Sequence, residues 1–212
     1  METRLLIVGK GDDILTMIFD NLSSNGNGGE VDVLNNLNLE ISNNISHPKF
    51  VVNILENVNV SQYEQYCLGV YSPNIKKILV DKYNLDLGKC VNIIHSTLSK
   101  SETATFGGGI LINSLVSIAA HTKIGNFVSI NRNVSIGHHT IIGDYTSINP
   151  GVNIAGNVII GEGSTIGMGV NVINRIKIGT NTIVGAGSLV TKDLPDNVVA
   201  YGNPCKIVRD NG

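Results

Sequence analysis

The side chains best suited to chemistry in this sequence are its five histidines. His138 and His139 are adjacent, whereas the isolated His47 and His95 are expected to be structural or simply solvated. His121 precedes His139 by 18 residues (139 − 121). An imidazole, with a pKa of about 6.5, takes up a proton readily at neutral pH. A histidine that is held in an outward-facing position can therefore serve a reaction that needs a general base.

The sequence does not predict a metal site. Adjacent side chains such as those of His138 and His139 point apart on a flat strand and rarely share one ion. The cysteines are odd in number, widely separated and without a CxxC pair, so they predict neither a disulfide framework nor a zinc knuckle: Cys67, Cys90 and Cys205.

A period of six residues positions the histidine pair. Every sixth residue from Ile112 to Val190 is Ile or Val, a pattern that neither a strand of period two nor a helix of period 3.6 produces. It predicts a solenoid with three flat faces of six residues, 18 residues per coil, and nearly five coils from residue 106 onward. The aliphatic residue points inward, and the glycine that often follows it, as in Ile136-Gly137, eases the corner.

The solenoid explains the histidine spacing. His138 and His139 follow Ile136-Gly137 and should lie at a coil corner, from which side chains project outward. One coil separates His121 from His139, so their rings should stack along one edge. That stack forms either a polar cluster beside a substrate or a row of surface imidazoles.

The first part of the chain has a different pattern, in which strands alternate with helices. This alternation predicts a small parallel sheet in an α/β module over residues 1–89, followed by the solenoid over residues 90–212. Asp12 or Asp13 is placed to cap the first helix. The predicted strands are residues 4–8, 30–34 and 66–70, and the predicted helices are residues 14–22 and 73–82.

Charge and hydropathy exclude several classes of partner. The formal net charge is −2 and the 15 basic residues are scattered, which gives no reason to expect nucleic acid or an anionic membrane as a partner. No apolar run approaches the ~20 residues that cross a bilayer, and the first residues lack the features of a signal peptide. We therefore expect a cytoplasmic protein without membrane insertion.

The repeat carries a family resemblance. The imperfect [LIV]-G-x4 tandem and the closing segment, residues 184–208, are similar to the hexapeptide-repeat acyltransferases. The α/β module in front resembles those that acetylate sugars, namely the bacillosamine-type nucleotide-sugar N-acetyltransferases and the sialic acid O-acetyltransferases. The resemblance implies a Rossmann-like module before a left-handed parallel β-helix, a homotrimer, and acetyl-CoA as acyl donor.

The resemblance also implies catalytic roles. His138 matches the general base of the family, which deprotonates an amine as it attacks the thioester directly in a ternary complex. His139 stands where the family usually has a carboxylate. A neutral imidazole orients its neighbour by hydrogen bonding but does not stabilise an imidazolium as a charge does. Asp144 is an alternative partner for the base.

The donor is expected in a groove between neighbouring β-helices. The positions that match its contacts are Ser147, Gly156, Met168, Ala186, Pro204 and Lys206. Ser147 replaces a histidine of the related enzymes, Gly156 and Ala186 are also explained as coil corners, and Lys206 is alternatively a solvated side chain.

The acceptor is expected at the first βα turn and at the end of the second strand. The matching residues are Gly9, Gly11, Asp12, Asp13, Asn35 and Asn36. Two aspartates at a helix N-terminus repel a diphosphate. The phosphates therefore lie elsewhere, or the module does not bind a nucleotide and its turn merely caps the helix.

Together these features predict an acetyl-CoA-dependent N-acetyltransferase acting on the amino group of a UDP-4-amino-sugar in bacterial surface-glycan synthesis. O-acetylation of a sialic acid or similar sugar is the first alternative, because a hydroxyl needs the same base. A catalytically inactive β-helical scaffold is the second, since position 139 lacks the carboxylate.

Overall fold

The structure is a computed structural model that describes residues 4–35 and 47–212. Its first part is a four-stranded, wholly parallel sheet with strand order β3-β2-β1-β4. The elements are β1 (Leu5–Val8), α1 (Asp12–Ser24), β2 (Gly29–Leu34), β3 (Phe50–Leu55), β4 (Gln65–Leu68) and α2 (Pro73–Tyr83). Short 3-10 turns lie at Val60–Gln62 and Leu87–Lys89.

Alternate residues of β1 face the two helices. Ile7 packs with Ile14 and Phe19 of α1, whereas Leu6 packs with Leu79 of α2. Both faces of the sheet are thus buried, as expected for a parallel sheet. The predicted α/β module is confirmed, but the sequence analysis missed β3.

The direction of chain winding reverses between β1 and β4, which are neighbours in the sheet although β2 and β3 lie on the other side of β1. Open parallel sheets bind ligands outside the carboxyl ends of their strands at such a switch point. The turn after β1, Gly9 to Gly11, and the segment after β4 therefore form the part of the module best placed to hold a ligand.

The second part is a parallel β-helix of three sheets, and the predicted fold class is confirmed. Face 1 consists of β5, β8, β11, β14, β17 and β20; face 2 of β6, β9, β12, β15, β18 and β21; face 3 of β7, β10, β13, β16 and β19. The strands are β5 (Ile93–Ile94), β6 (Ser99–Lys100), β7 (Thr105–Phe106), β8 (Leu111–Ile112), β9 (Ser117–Ile118), β10 (Lys123–Ile124), β11 (Ser129–Ile130), β12 (Ser135–Ile136), β13 (Ile141–Ile142), β14 (Ser147–Ile148), β15 (Asn153–Ile154), β16 (Ile159–Ile160), β17 (Thr165–Ile166), β18 (Asn171–Val172), β19 (Lys177–Ile178), β20 (Ile183–Val184) and β21 (Leu189–Val190).

The register between coils is 18 residues, as the sequence predicts. Ile130 pairs with Ile112 on one side and Ile148 on the other, and the repeated Ile and Val side chains form one continuous core. The first coil begins at β5, earlier than residue 106. A hairpin of β22 (Val198–Tyr201) and antiparallel β23 (Lys206–Asp210) extends face 1 at the C-terminal end.

The corners differ from the prediction. The glycine that follows the aliphatic residue does not have a left-handed φ; the left-handed residue comes two positions later, every sixth residue from Leu115 to Gly187. His139, at φ 58°, is one of them. The glycines are needed instead for close stacking, because a Cβ at Gly137 would lie 2.5 Å from the backbone nitrogen of Gly156 in the next coil.

The module covers face 1 of the β-helix. The outward side chains of Leu111, Ser129 and Ser147 on this face are buried, whereas Ser135 on face 2 and Ile141 on face 3 are exposed. Leu111 joins the cluster around α1. The two parts of the molecule therefore share a core, while faces 2 and 3 stay open to solvent in the single chain.

No helix within the described residues is long and apolar enough to cross a membrane.

Candidate functional site

The predicted base lies at the corner between faces 2 and 3. His138 and His139 form the turn between β12 and β13 and are both exposed. Their Nδ1 atoms are 3.0 Å apart. The rings of His139 and His121 have centroids 4.8 Å apart, which confirms the predicted stack on neighbouring coils.

The ring of His138 rests on the backbone of the next coil. A Cβ atom added at Gly156 would lie 2.7 Å from His138 Nε2 and 2.8 Å from its Cε1. The missing side chain of Gly156 thus makes room for the imidazole, and Gly156 positions His138. This role was not foreseen in the sequence, where Gly156 was assigned to the donor.

Asp144 is not a partner of the histidine, so that alternative was wrong. Asp144 lies at the corner between faces 3 and 1, where Oδ1 accepts from the Asn126 backbone N–H at 2.7 Å and Oδ2 from Asn126 Nδ2 at 3.1 Å. Both oxygens therefore hold the turn one coil below. Within the described residues, no carboxylate oxygen forms an ion pair with a ring nitrogen of His138.

A cleft of about 790 Å³ separates α1 from the corner between faces 1 and 2. Its α1 wall includes two of the predicted acceptor residues, Gly11 and Asp13, and its solenoid wall includes Met168. The cleft begins beside the switch point of the sheet, since Gly11 precedes α1 and Tyr71 follows β4. It has the size of a small-molecule site.

Polar side chains that the sequence analysis missed line the solenoid wall of this cleft, namely Asn131, Arg132 and Asn149. Asn113 Nδ2 donates to Asn131 Oδ1 at 3.2 Å, whereas Asn149 Nδ2 donates to the backbone oxygen of Ile166 at 2.9 Å. The sequence contains a signal for these residues: asparagine follows the aliphatic residue at 113, 131 and 149, where glycine is the commonest residue in the rest of the repeat.

The first βα turn requires glycine at its first position but lacks the predicted helix cap. Gly9 has φ 94°, a conformation that disfavours any other residue. Helix α1 begins at Asp12, so its N-cap is Gly11 and no side chain caps it. Asp13, in the first turn, is exposed to the cleft rather than engaged as a cap.

Asn35 ends β2 beside this turn and is 5% exposed. Its backbone N–H donates to Leu55 O at 2.8 Å and its Nδ2 donates to Glu56 Oε1 at 3.2 Å, while Oδ1 has no partner. The other predicted residue of this strand end, Asn36, lies outside the described residues.

The predicted donor residues fall into three places. Met168 is 59% exposed at the corner between faces 1 and 2, and Ala186 is exposed one coil further on. Pro204 and Lys206 are exposed on the C-terminal hairpin. Gly156 lies at the corner between faces 2 and 3.

Ser147 does not fit the donor role assigned to it. Its side chain is buried beneath the module at 1% exposure. The hydroxyl donates to Tyr71 O at 2.6 Å and accepts from Lys76 Nζ at 3.2 Å. Its oxygen therefore joins the module to the β-helix, and a molecule outside the chain does not reach it.

Lys76 is a further residue that was not predicted from the sequence. It is 1% exposed, and its Nζ also donates to the backbone oxygen of Phe127 at 3.0 Å. Burial lowers the pKa of this lysine from 10.5 to about 7. No sequence signal distinguishes Lys76 from the partly exposed Lys77, because the burial of Lys76 results from the docking of α2 on the β-helix.

Among the described residues there is no group of three or more His, Cys, Asp or Glu side chains that could hold a metal ion.

Comparison with known proteins gives matches for the repeat region. Residues 121–156 and 157–192 match the family "Bacterial transferase hexapeptide (six repeats)". A galactoside O-acetyltransferase from Lactococcus lactis is 74% identical over only 23 residues, so the match spans 11% of this chain and 11% of that protein. The two matched segments lie in the repeat region and agree with the sequence resemblance.

Solved structures match both parts of the chain together. PerB from Caulobacter crescentus, in complex with CoA and GDP-perosamine, is 25% identical with a TM-score of 0.82, covering 98% of each chain. The acetyltransferase domain of PglB from Neisseria gonorrhoeae, in complex with acetyl coenzyme A, is 21% identical with a TM-score of 0.83, covering 98% of this chain and all of that one. WeeI from Acinetobacter baumannii is 18% identical with a TM-score of 0.77, covering 97% and 100%. The resemblance to this subfamily is confirmed in fold.

Proposed function

We propose that the protein is an acetyl-CoA-dependent N-acetyltransferase that acts on the amino group of a nucleotide-linked amino-deoxy sugar, in the cytoplasm, for surface-glycan synthesis. One observation carries the proposal: an exposed imidazole, His138, seated on Gly156 at a coil corner. Its setting supports the same reading, since PerB shares the two-part fold over nearly its whole length and was solved with CoA and a nucleotide-linked sugar.

The contact between the two histidines is compatible with the tautomer that the proposed reaction needs. Two neutral rings with Nδ1 atoms 3.0 Å apart share one proton in a hydrogen bond. When His138 donates, its Nε2 carries the free lone pair and acts as the base. His139 therefore orients His138, as the carboxylate of the related enzymes would, but it supplies no negative charge.

The proposed reaction is a direct transfer. The sugar amine attacks the thioester carbonyl while His138 Nε2 takes its proton, and a backbone N–H stabilises the oxyanion. Collapse of the intermediate breaks the C–S bond, and the sulfur of CoA leaves with the proton from His138. The products are the N-acetylated sugar and free CoA, without a covalent enzyme intermediate.

The site requires more than one copy of the chain. His138 and Gly156 lie at the corner between faces 2 and 3. Met168, Ala186 and the cleft lie at the corner between faces 1 and 2. The six-residue face between them spans roughly 15–20 Å, too far for a base and a bound sugar to meet. In the proposed homotrimer, the base of one protomer faces the cleft and donor residues of its neighbour.

The roles of individual binding residues follow from this arrangement. Met168, Ala186, Pro204 and Lys206 are exposed and are proposed to line the donor groove. Gly9, Gly11 and Asp13 are proposed to line the acceptor site. Asn35, Asn36 and Asp12 keep the acceptor assignment made from the sequence, and the UDP-linked 4-amino-sugar stays the predicted acceptor.

Release of free thiol from acetyl-CoA tests the function. The acceptors are UDP-, dTDP- and GDP-linked 4-amino-sugars, sialic acid and no acceptor. We expect turnover with a nucleotide-linked amine. Turnover with sialic acid alone indicates the O-acetyltransferase instead, and release with none of them indicates a scaffold.

A further inference from the structure

A basic side chain lies on the solenoid wall of the cleft. Arg132 is exposed and lines both the cleft of about 790 Å³ and an adjoining cavity of about 360 Å³. Among the described residues it is the one Lys or Arg that lines either cavity. A guanidinium in such a place attracts an anionic ligand, above all phosphate, whose oxygens match its fork of N–H donors.

The backbone of Arg132 is held by hydrogen bonds on both sides. Its N–H donates to Asn131 Oδ1 at 2.8 Å, and its carbonyl oxygen accepts from the Gly151 N–H of the next coil at 3.1 Å. Asn131 is itself 6% exposed. Since the backbone is already ordered, a ligand of Arg132 restricts only the side chain, which limits the entropy lost on binding.

The guanidinium faces the cleft without a carboxylate partner. Asp20 lines the same two cavities from α1, yet within the described residues Arg132 forms no ion pair with it or with another carboxylate. Burial raises the pKa of Tyr71, which also lines the cleft, and the positive charge of Arg132 offsets part of this rise. The charge of Arg132 therefore acts within the cleft and remains available to a ligand there.

The opposite wall of the cleft carries negative charge. Asp13 and Asp20 are seven residues apart on α1 (20 − 13), so they lie on the same side of the helix. Both are exposed and line the cleft. Their carboxylates repel an anion that lies along α1. An anionic group of a ligand in the cleft is therefore favoured at the solenoid wall, beside Arg132.

We infer that Arg132 binds the diphosphate of the nucleotide-linked acceptor. The diphosphate is the anionic part of that molecule, and the aspartates of the first βα turn leave it no place there. Arg132 lies across the cleft from this turn and supplies the missing positive charge. The inference rests on the proposed function, since it assigns a residue to the phosphates of the proposed acceptor. A sugar carboxylate would offer the guanidinium the same chemistry, so the test separates these two sources.

Calorimetric titration of the full chain tests this contact. The ligands are UDP, dTDP and GDP, together with sialic acid, which carries a carboxylate but no phosphate. Arg132→Gln should weaken binding of each nucleotide that the wild type binds by about tenfold or more, because the lost contact is to the phosphates and not to the base. Arg132→Lys keeps the charge without the fork of donors, and its affinity should lie between those of the wild type and Arg132→Gln.

Ionic strength provides a readout that a merely structural role of Arg132 would not change. Raising the salt concentration from about 0.05 M to about 0.5 M should weaken nucleotide binding by a larger factor in the wild type than in Arg132→Gln, which lacks the screened contact. Lys82→Gln is the control, because it removes a positive charge from the exposed end of α2, outside both cavities. It should match the wild type in affinity and in salt dependence.

The outcomes separate the inference from the function. Unchanged nucleotide affinity in Arg132→Gln, or an equal loss in Lys82→Gln, overturns the phosphate contact, while thiol release by the wild type with a nucleotide-linked amine still supports the N-acetyltransferase. Binding of sialic acid that depends on Arg132, without binding of any nucleotide, assigns the arginine to a carboxylate and overturns both the inference and the nucleotide-linked acceptor. Binding of none of the four ligands overturns both as well.

Discussion

At the scale of single residues, His138 combines exposure with a defined position. Its ring is held by contact with His139 on one side and by the backbone at Gly156 on the other. An exposed side chain normally samples several rotamers, and confining it lowers the entropy lost on reaching the reactive geometry. The protein thus prepares its proposed base without burying it.

Replacement of this base is the first prediction. His138→Ala should lower kcat by about 100-fold or more, as loss of a general base does, while the size of the oligomer stays unchanged in light scattering. The outward position of His138 explains why assembly of the core should not be affected. A variant with wild-type turnover would show that another group accepts the proton.

The contact with Gly156 gives a second prediction. Gly156→Ala places a methyl group in the position of the imidazole and should lower kcat by about 10- to 100-fold, with little change in KM for acetyl-CoA. The histidine is still present, so the loss measures its position. Steady-state kinetics over both substrates provide the measurement.

Asn174→Ala is the matched control, because Asn174 lies on the same corner one coil further on. It should retain full activity. If Gly156→Ala instead raised KM for acetyl-CoA and left kcat unchanged, Gly156 would be a donor-binding residue, as the sequence resemblance suggests.

At the scale of secondary-structure elements, the repeat could be predicted almost completely. The hexad pattern determines the 18-residue register, because a slip of one residue would turn Ile112 or Ile130 outward. The positions of the left-handed residues could not be predicted from glycine. Histidine, asparagine and even Leu115 occupy them, since the coil geometry imposes this conformation on whichever residue is present.

The sequence was least informative about how α2 and the β-helix pack together. Ser147 and Lys76 are polar residues whose burial depends on contacts between segments 71 residues apart. No local pattern encodes such a contact. The same cause explains the missed Arg132, which becomes a cleft residue only because α1 lies opposite it.

Lys76 gives a prediction about pH. Its pKa of about 7 in the folded chain lies below its ordinary value of 10.5. Between these values the unfolded chain binds a proton that the folded chain does not, so the free energy of unfolding rises with pH in this window. The rise due to Lys76 is at most about 1.4 kcal/mol per pH unit.

Urea unfolding at pH 7, 8 and 9 checks this prediction. The stability of the wild type relative to Lys76→Met should increase across the series, because the variant lacks the titrating group. Lys77→Met is the control: Lys77 forms an ion pair with Glu162 at 2.6 Å and is partly exposed, so its removal should leave the slope unchanged. A constant difference between wild type and Lys76→Met would show that the lysine stays charged.

At the scale of the whole molecule, the module determines which surface remains for assembly. The module covers face 1. Its helix α1 and the corner between faces 1 and 2 form the cleft. A single chain therefore presents a base without a substrate site beside it and a cleft without a base. In the proposed homotrimer, rotation about the threefold axis would bring these two surfaces together without any change of fold.

Subunit mixing tests this arrangement directly. His138→Ala lacks the base but has an intact cleft, whereas Asp13→Trp obstructs the cleft, which Asp13 lines from an exposed helical position, and has an intact base. Each variant alone should be nearly inactive. Every trimer that contains both variants has one interface of three at which an intact base faces an intact cleft, so about a third of the activity should return in the isolated mixed trimers.

Co-expression with two affinity tags isolates the mixed trimers for the assay. A mixture of His138→Ala with the double variant carrying both substitutions is the control, because no interface in it has a base. It should show no recovery. If the complementary mixture also recovered nothing, a site shared by two protomers would be wrong. Base and cleft would then have to meet within one protomer, although a face of roughly 15–20 Å separates them.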